Sequence, residues 1–550
     1  MGNNWNRRQM LQALSLGVIA GNQLLAATVR ASVAASPARC NVYDYRGEPL
    51  PVDEFERFHT CDLLMRPFTI APEFEPGVAA FQPPDRPFRI ALPLSVPGFG
   101  QVFVYADNRG HGHTAKSFSE KPLMLNYEFA ADRLTTVLAL LEECRHSGIA
   151  ISPAARGRAD KSEALLKKSE GLMQDHPTYI ATLMSSLCES LWAGEMIAVE
   201  RAEQRIAKNG PRTGFLFGCN AFGYRRRGKP YIDRFDAAFN FATLPFYRNQ
   251  LEPVRGQPNY SASARILDWI ERGSIILKGQ PLVYLQPDAT PDWLWNLSCQ
   301  ETKKLSVQYV RETILKFRNR IHAWDVVAEA HVQPEVEPGS NVMSGFTREE
   351  NVDLTVTALQ TAREADPTCF RIVNSTGTWC DYYMCRQPRP WQQSVYDYLQ
   401  SLKDAEAEYE AISLDYHYSG RDLLEFERNL ETFTGFGKPI HITELGISSA
   451  LDAKIDSDWW SEARFVWHGE QFTEENQAQW VEWLYKIAFS KPYVGAIAWR
   501  DLMDGGIMPN DAFLRTDFSP KPSYERLLAM QTKWREEGIL PPAKKAESGL

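Results

Sequence analysis

The sequence predicts an α/β protein: a closed (β/α)₈ barrel, or TIM barrel, preceded by an N-terminal β-sandwich-like domain and a helical connector. From Thr213 onward, short apolar runs alternate with stretches whose apolar residues recur every three or four positions. This alternation is typical of parallel βαβ units. Eight such units favour a closed barrel, which needs about 250 residues or more. An open doubly wound sheet is the alternative, but the sequence has no GxGxxG or Walker motif to support it.

The barrel is predicted to occupy residues 213–535, and residues 536–550 are predicted to form a flexible tail. Each predicted strand is a short apolar run, and the clearest helices between them are Leu305 to Phe317 and Asn476 to Ala488. The eight predicted strands are 214–220, 239–245, 281–286, 323–329, 370–375, 411–417, 439–445 and 494–500.

Two segments precede the barrel. Residues 41–127 contain short β-rich runs broken by proline and glycine, which predicts a small β domain. Its size and strand content resemble an appended carbohydrate-binding module, an analogy of architecture without a motif. Residues 128–212 are predicted to be a helical connector, with one helix over 128–147 and two more over 160–208 that are broken near His176-Pro177.

The first 40 residues resemble an export signal. Arg7 and Arg8 precede an apolar run, Ala13 to Ala20, and small residues follow near Ala34. This order resembles a twin-arginine signal and predicts a periplasmic or secreted protein. The apolar run is too short for a membrane span. A disordered N-terminus with a chance pair of arginines is the alternative interpretation.

Composition excludes some classes of partner and cofactor. The net charge of -9 argues against nucleic acid and anionic membranes, because both require a basic surface. Nine cysteines include no CxxC pair, so a zinc ribbon is not expected. Cys380 and Cys385 are close enough in sequence to bridge locally. No metal or other cofactor is predicted, and the oligomeric state is left open.

Two predicted strands end in a glutamate. Strand four ends at Glu329 and strand seven at Glu444. The C-terminal ends of all eight strands meet at one face of such a barrel, where catalytic residues lie. Two facing carboxylates are what glycoside hydrolysis requires, since one protonates the departing oxygen while the other attacks or activates water. The alternative is a pair of solvated strand-end glutamates.

The segments around these glutamates resemble glycoside hydrolase family 10, the endo-xylanase family. Trp324 to Ala330 is similar to the acid/base motif of that family, and His441 to Leu445 to its nucleophile motif. Further similar segments, in the same order, are Phe239 to Thr243 with Glu252-Pro253, Lys278 to Val283 with Pro291 to Trp293, Ala498 to Asp501, and Lys521 to Tyr524.

The resemblance implies a retaining mechanism, with Glu329 as acid/base and Glu444 as nucleophile. It implies that His417 hydrogen-bonds the nucleophile, and that Trp499 floors the sugar at the cleavage point. Without the resemblance, a buried core histidine would be the preferred interpretation of His417. Together with Asn374, the residues expected to bind substrate are His417, Gln280, Trp499, Trp293 and Asp415.

The sequence also departs from the family pattern. Ala328 stands where the family has asparagine, and Gln280 where it has histidine. The segment 244–249 is shorter than its family counterpart. Loss of an asparagine donor to the sugar 2-hydroxyl should slow the reaction, so the resemblance supports the mechanism better than the substrate. Five tryptophans in predicted loops line a sugar cleft or form a small core of their own: Trp293, Trp295, Trp459, Trp460 and Trp467.

These observations predict a secreted retaining β-glycosidase acting on a plant or algal polysaccharide or its oligosaccharides. The alternative is a non-catalytic carbohydrate-binding protein on a degenerate glycosidase barrel. The departures from the family motivate this alternative, and the presence of both glutamates argues against it.

Overall fold

The computed structural model of the protein describes residues 37–222, 224–270, 275–287, 289–333, 346–379, 392–417, 420–450, 472–506 and 510–542. The predicted export signal lies outside these residues, apart from its last four positions. The cysteine pair and three tryptophans also lie outside them: Cys380, Cys385, Trp459, Trp460 and Trp467.

The N-terminal region forms two small sheets. One has the strand order β3-β4-β1-β7 and the other the order β2-β5-β6. The aromatic side chains around them share one core, since the Phe81 ring lies 5.6 Å from that of Phe58 and 5.9 Å from that of Phe88. The strands are β1 (Ala38–Asn41), β2 (His59–Cys61), β3 (Glu73–Glu75), β4 (Val78–Phe81), β5 (Arg89–Val96), β6 (Gly100–Ala106) and β7 (Leu123–Met124).

Three helices follow: α1 (Leu125–His146), α2 (Pro153–Ser169) and α3 (His176–Asn209). The break predicted near His176-Pro177 is the start of α3. Proline is tolerated in the first turn of a helix, and the Asp175 side chain accepts the Thr178 backbone N–H there. We call residues 37–209 the N-terminal module.

The eight predicted units form a closed parallel barrel, which confirms the predicted fold class. The order β8 to β15 around the barrel follows the order along the chain. The strands are β8 (Leu216–Asn220), β9 (Phe241–Pro245), β10 (Ile276–Gln280), β11 (Ala323–Ala328), β12 (Phe370–Ser375), β13 (Ala411–His417), β14 (Ile440–Gly446) and β15 (Val494–Trp499).

Helices surround the barrel, and α8 and α12 contain the two helical stretches predicted most clearly. The helices are α4 (Tyr224–Ala238), α5 (Arg248–Leu251), α6 (Ser261–Ile270), α7 (Asp292–Trp295), α8 (Cys299–Phe317), α9 (Arg348–Ala365), α10 (Val395–Asp404), α11 (Leu423–Thr432), α12 (Glu474–Phe489) and α13 (Pro522–Glu536). Among the described residues, no helix has the length and apolar character needed to cross a membrane.

The predicted position of the third strand was wrong. The strand was predicted at 281–286 but lies at Ile276–Gln280. The sequence did not indicate this strand because it contains polar residues that are buried. Lys278 lies inside the barrel and pairs with Asp325 at 2.7 Å, and both side chains are fully buried. The apolar residues after Pro281 lie beyond the end of this strand. They continue its hydrogen bonding to β11, from Leu282 N–H to Asp325 O and from Val283 N–H to Val326 O.

The N-terminal module packs directly against the barrel. Side chains from β5, α1 and α3 reach the segment that begins helix α11. We call the contact region between the module and the barrel the seam. Three buried ion pairs cross it: Arg89 with Glu425 at 3.0 Å, Arg133 with Asp422 at 2.5 Å, and Arg201 with Glu427 at 2.5 Å.

Candidate active site

Glu329 directly follows strand β11 and has a backbone φ of 52°. Its backbone N–H donates to Asn374 O of the neighbouring strand at 3.0 Å. The side-chain oxygen Oε2 accepts from the Tyr284 hydroxyl at 3.2 Å and from Gln286 Nε2 at 3.5 Å. Residues of the chain after β10 therefore hold the Glu329 carboxyl group in place.

Glu444 lies within strand β14, also with φ 52°. It is 6% exposed. Oε1 accepts from Asn220 Nδ2 at 2.8 Å and from Gln280 Nε2 at 3.1 Å. Oε2 accepts from Arg500 Nη1 at 2.8 Å. Donors from the ends of β8, β10 and β15 therefore converge on this carboxylate, and they favour its anionic form.

Both glutamates depart from regular strand geometry. The register of β14 shifts between Asp415 and His417 on one side and between Ile442 and Leu445 on the other. A positive φ is uncommon outside glycine and is stored where the surrounding structure enforces it, often at functional sites. In β11 a bulge lies between Asp325 and Val327. The regular alternation of side chains along a strand is therefore interrupted before Glu329.

Asp415 lies between the two glutamate strands and is almost fully buried. It accepts from Asn374 Nδ2 at 3.0 and 3.1 Å and from Thr443 Oγ1 at 2.7 Å. Burial raises the pKa of Asp415 well above its usual range, and the negative charges of Glu444 and Glu329 raise it further. The three carboxyl groups therefore share one electrostatic neighbourhood, in which burial disfavours the Asp415 anion.

Two tyrosines complete this neighbourhood. Burial raises the pKa of both Tyr247 and Tyr284. The charge of Glu329 adds to both increases, and that of Glu444 adds to the increase at Tyr247. Both hydroxyls therefore remain protonated across the physiological range. A protonated Tyr284 hydroxyl can donate to the carboxylate of Glu329, as the 3.2 Å contact shows.

Most of the barrel matches a known protein family. The model of glycosyl hydrolase family 10 matches residues 222–528, which is more than half of the chain. The chain belongs to glycosyl hydrolase family 10. It is therefore a glycosidase by family, and the matched range contains seven of the eight barrel strands, with both glutamates.

Individual relatives of this family 10 chain are distant. Endo-1,4-beta-xylanase B of Thermotoga neapolitana is 23% identical over 53% of this chain and 78% of its own length. Endo-1,4-beta-xylanase A of Thermotoga maritima is 28% identical over 35% of this chain and 18% of its own. The crystal structure of xylanase 10B from Thermotoga maritima aligns with 20% identity and a TM-score of 0.46, covering 61% of this chain and 98% of that one.

The structure brings together several of the residues expected from the family 10 resemblance. Gln280 contacts Glu444, and Asn374 links Asp415 to the backbone of Glu329. His417 ends strand β13, but its side chain lies outside the part of the chain that is described. The expected bond from His417 to the nucleophile stays a prediction.

The expected role of Trp499 is not supported. Its side chain is fully buried, its indole N–H donates to Asp511 O at 3.0 Å, and its ring lies 4.7 Å from that of Phe513. A ring enclosed on both faces has no surface on which a sugar can stack. The strand-end position of Trp499 was read correctly, but its packing could not be seen in the sequence.

Trp293 is also held by protein contacts. It lies in α7, partly buried, and its indole N–H donates to Glu252 O at 3.0 Å. The Arg248 guanidinium lies 5.0 Å from its ring centre. These contacts favour the small-core alternative for Trp293 over a sugar-stacking role.

Sequence reasoning missed four polar residues of the family 10 site: Asn220, Tyr284, Gln286 and Arg500. Asn220 is the last residue of β8, and Arg500 directly follows β15. The rule that singled out the two glutamates, a polar residue at the end of a strand, also applies to Asn220 and Arg500. Tyr284 had no such signal, because the third strand was placed over it, whereas Gln286 ended that strand as it was predicted and fits the same rule.

One group among the described residues has ligand atoms close enough to hold a metal ion. His113, Glu128 and Asp132 of the N-terminal module place such atoms within 4.8 Å of one another. Arg109 pairs with both carboxylates, and Asp132 also accepts the backbone N–H groups of residues 107, 108 and 109. Both carboxylates thus already have protein partners, which are one guanidinium and, for Asp132, three backbone N–H groups.

Proposed function

We propose that this family 10 glycosidase cleaves β-glycosidic bonds of a xylan-like plant or algal polysaccharide with retention of configuration. Glu444 is the nucleophile and Glu329 the acid/base. The observation that carries the proposal is the convergence of Asn220, Gln280 and Arg500 on the Glu444 carboxylate. A nucleophile must be anionic before the reaction begins, and these donors stabilise the anion.

The reaction follows in two steps. In the first, Glu329 donates its proton to the glycosidic oxygen while Glu444 forms a bond to the anomeric carbon, and the leaving sugar departs. In the second, Glu329 removes a proton from water, which attacks the anomeric carbon and releases Glu444 as a carboxylate. The Tyr284 hydroxyl, 3.2 Å from Glu329 Oε2, supports the anionic form of Glu329 that the second step requires.

The residues expected to bind the substrate keep less of the family pattern than the two glutamates do. The relatives are described as endo-1,4-beta-xylanases, which supports a xylan-like chain. Ala328 has no side-chain donor for the sugar 2-hydroxyl, and Gln280 directs its amide at Glu444. Lost transition-state hydrogen bonds are worth several kcal/mol. We therefore expect weak activity on unsubstituted xylan.

A panel of aryl β-glycosides and polysaccharides tests the proposal, with Glu444→Gln as the matched inactive variant. Hydrolysis by the wild-type protein that disappears in the variant supports it. The competing proposal is a carbohydrate-binding protein on a degenerate barrel, motivated by Ala328 and Gln280. Saturable binding of a polysaccharide without turnover of any glycoside would favour that alternative.

We further propose that the chain is exported in a folded state by the twin-arginine route. The motif at Arg7 and Arg8 motivates this proposal. The buried thiols Cys40 and Cys219, which form no disulfide, support it, since they would be protected once folding precedes oxidation. Replacement of Arg7 and Arg8 with lysine should retain the protein in the cytoplasm of its bacterial host, and unchanged export would reject the route.

A further inference from the structure

One short segment on the barrel side of the seam receives all three buried ion pairs described above. It comprises residues 420–428, which follow β13 and include the first part of α11. Helices α12 and α10 also contact the module, through Lys486 with Glu203 at 2.8 Å and Asp397 with Arg66 at 3.7 Å. Strand β13 carries Asp415, whose carboxyl group lies among those of the candidate active site. A displacement of this segment would therefore be passed along the chain to the site within a few residues.

Backbone hydrogen bonds fix the segment at two points. Phe103 N–H of β6 donates to Gly420 O at 2.7 Å, so the edge of the N-terminal sheet is extended by the barrel loop. Leu423 N–H at the start of α11 donates to Glu195 Oε1 of α3 at 2.9 Å. The first bond joins two backbone groups, neither of which can rotate away, and the second holds the segment's backbone through a buried glutamate side chain.

Charge complementarity reinforces this placement. The module contributes three arginines and the segment three carboxylates, all buried. Room is made for one of them by Gly194 in α3, where a Cβ would lie 2.5 Å from Arg133 Nη2. Buried pairs of this kind tolerate little displacement, since separation would leave an uncompensated charge away from water.

Arg421 joins the module to two barrel strands. It is 1% exposed, its guanidinium lies 3.9 Å from the ring centre of Phe103, and its Nε donates to the Tyr105 hydroxyl at 3.3 Å. On the barrel side the guanidinium lies 5.1 Å from the ring of Trp379, which follows β12. Trp379 in turn lies 4.8 Å from the ring of Tyr416, the residue next to Asp415.

Helix α11 clamps the same two strand ends. Asn429 accepts from the Tyr416 hydroxyl at 2.7 Å and donates from Nδ2 to Thr378 O at 2.9 Å. The ends of β12 and β13 are thus tied to α11, and α11 is tied to the N-terminal module. The contacts form an unbroken series from Phe103 in the module to Tyr416 beside the site.

We infer that the N-terminal module is a positioning element of the catalytic barrel, and that Arg421 is the positioning residue that sets the ends of β12 and β13. The module thereby acts on the reaction without contacting the substrate. The kinetic part of this inference rests on the proposed function, whereas the structural part does not.

Three variants test the inference: Arg421→Met, Arg421→Lys and Arg201→Met. Arg201 is the matched control, because it is a similarly buried arginine at the seam but pairs with Glu427, farther along α11. Each variant is measured below its unfolding temperature for kcat and KM on the best aryl glycoside. Hydrogen exchange of residues 370–379 and 411–417 is measured on the same full-length proteins.

We expect Arg421→Met to lower kcat by about 10- to 100-fold with little change in KM, because small misplacement of catalytic groups has effects of this size. Arg421→Lys keeps a cation beside Phe103 and should recover most of the loss. Arg201→Met should lower the thermal midpoint but leave kcat near wild type.

Hydrogen exchange separates failure of this inference from failure of the proposed function. Faster exchange in both segments with Arg421→Met, but not with Arg201→Met, supports the inference even if the wild-type protein hydrolyses no glycoside tested. Unchanged exchange in these segments, or equal loss of kcat in Arg421→Met and Arg201→Met, would overturn it.

Discussion

The ends of strands β11 and β14 share a backbone feature and differ in the chemistry around it. Glu329 and Glu444 both have φ 52°. Glu444 accepts from a guanidinium and two amides, whereas Glu329 accepts from a tyrosine hydroxyl and from an amide at 3.5 Å. The stronger, charge-assisted donors hold Glu444 as an anion. This difference fits the proposed roles, in which Glu444 attacks the anomeric carbon and Glu329 exchanges a proton.

The largest expected effect comes from removal of the proposed nucleophile. Glu444→Ala should lower kcat/KM on an activated aryl glycoside by roughly four to six orders of magnitude, as loss of a nucleophile does elsewhere. Azide can occupy the vacated space and should restore turnover with inverted product. A near-normal rate in Glu444→Ala would show that the comparison assigns the wrong residue.

Removal of the proposed acid/base should have a smaller effect that depends on the substrate. Glu329→Ala should cost about 10²- to 10⁴-fold on substrates with poor leaving groups. Substrates with good leaving groups need no protonation in the first step, so the glycosyl-enzyme should accumulate and give a burst in stopped-flow assays. An equal loss on both kinds of substrate would contradict the assigned role.

Arg500 tests the source of the difference between the two glutamates. Arg500→Met removes a hydrogen bond to a charged group, worth about 1.5–3 kcal/mol, so kcat/KM should fall roughly 10- to 100-fold. The acidic limb of the pH–rate profile should move to higher pH, because the Glu444 anion loses its cation. Arg500→Lys is the matched control that keeps the charge. An unmoved acidic limb in Arg500→Met would show that the guanidinium does not hold Glu444 as an anion.

A buried histidine near each glutamate predicts an effect on stability and little effect on rate. Burial lowers the pKa of His331 to about 4 and of His441 to about 3. The unfolded chain binds protons at both residues below about pH 6.5, whereas the folded protein stays neutral there until much lower pH. The free energy of unfolding should therefore fall as pH drops from about 6.5 to 4.

Urea titrations at several pH values measure this loss of stability. His331→Gln and His441→Gln should each flatten the dependence, because one titrating group is removed. His331 lies two residues after Glu329 and accounts for one of the two protons, donating from Nε2 to Thr376 O at 2.9 Å in its neutral form. A stability curve that is flat between pH 6.5 and 4 would exclude this account of the two histidines.

The sequence predicted the positions of the barrel strands well where a strand coincides with a single, mostly apolar run. It predicted seven of the eight barrel strands to within two residues or so, and it found both glutamates because each ends a predicted strand. It failed at Ile276–Gln280, where an internal lysine pairs with Asp325, 47 residues away. It could not show that Trp499 is enclosed, or that Arg500 contacts Glu444, because packing between distant segments has no local pattern.

The seam was beyond sequence reasoning for the same reason. The arginines of the module and the acids of α11 are separated by more than 200 residues. In the sequence, both sets are consistent with solvated helix and strand faces. Only the fold brings them together and excludes water from them. The N-terminal module is therefore packed against the barrel and is not a separate appended domain.

Covalent trapping tests the central assignment most directly. The wild-type protein is incubated with a 2-deoxy-2-fluoro-β-xylobioside that carries a dinitrophenolate leaving group, then digested and analysed by mass spectrometry. The electron-withdrawing fluorine slows both steps, and the good leaving group allows the first to proceed, so the intermediate should accumulate. We predict one added fluoroxylobiosyl group, located on Glu444. A label on Glu329, or turnover of the natural glycoside with inverted product and no label, would contradict the account.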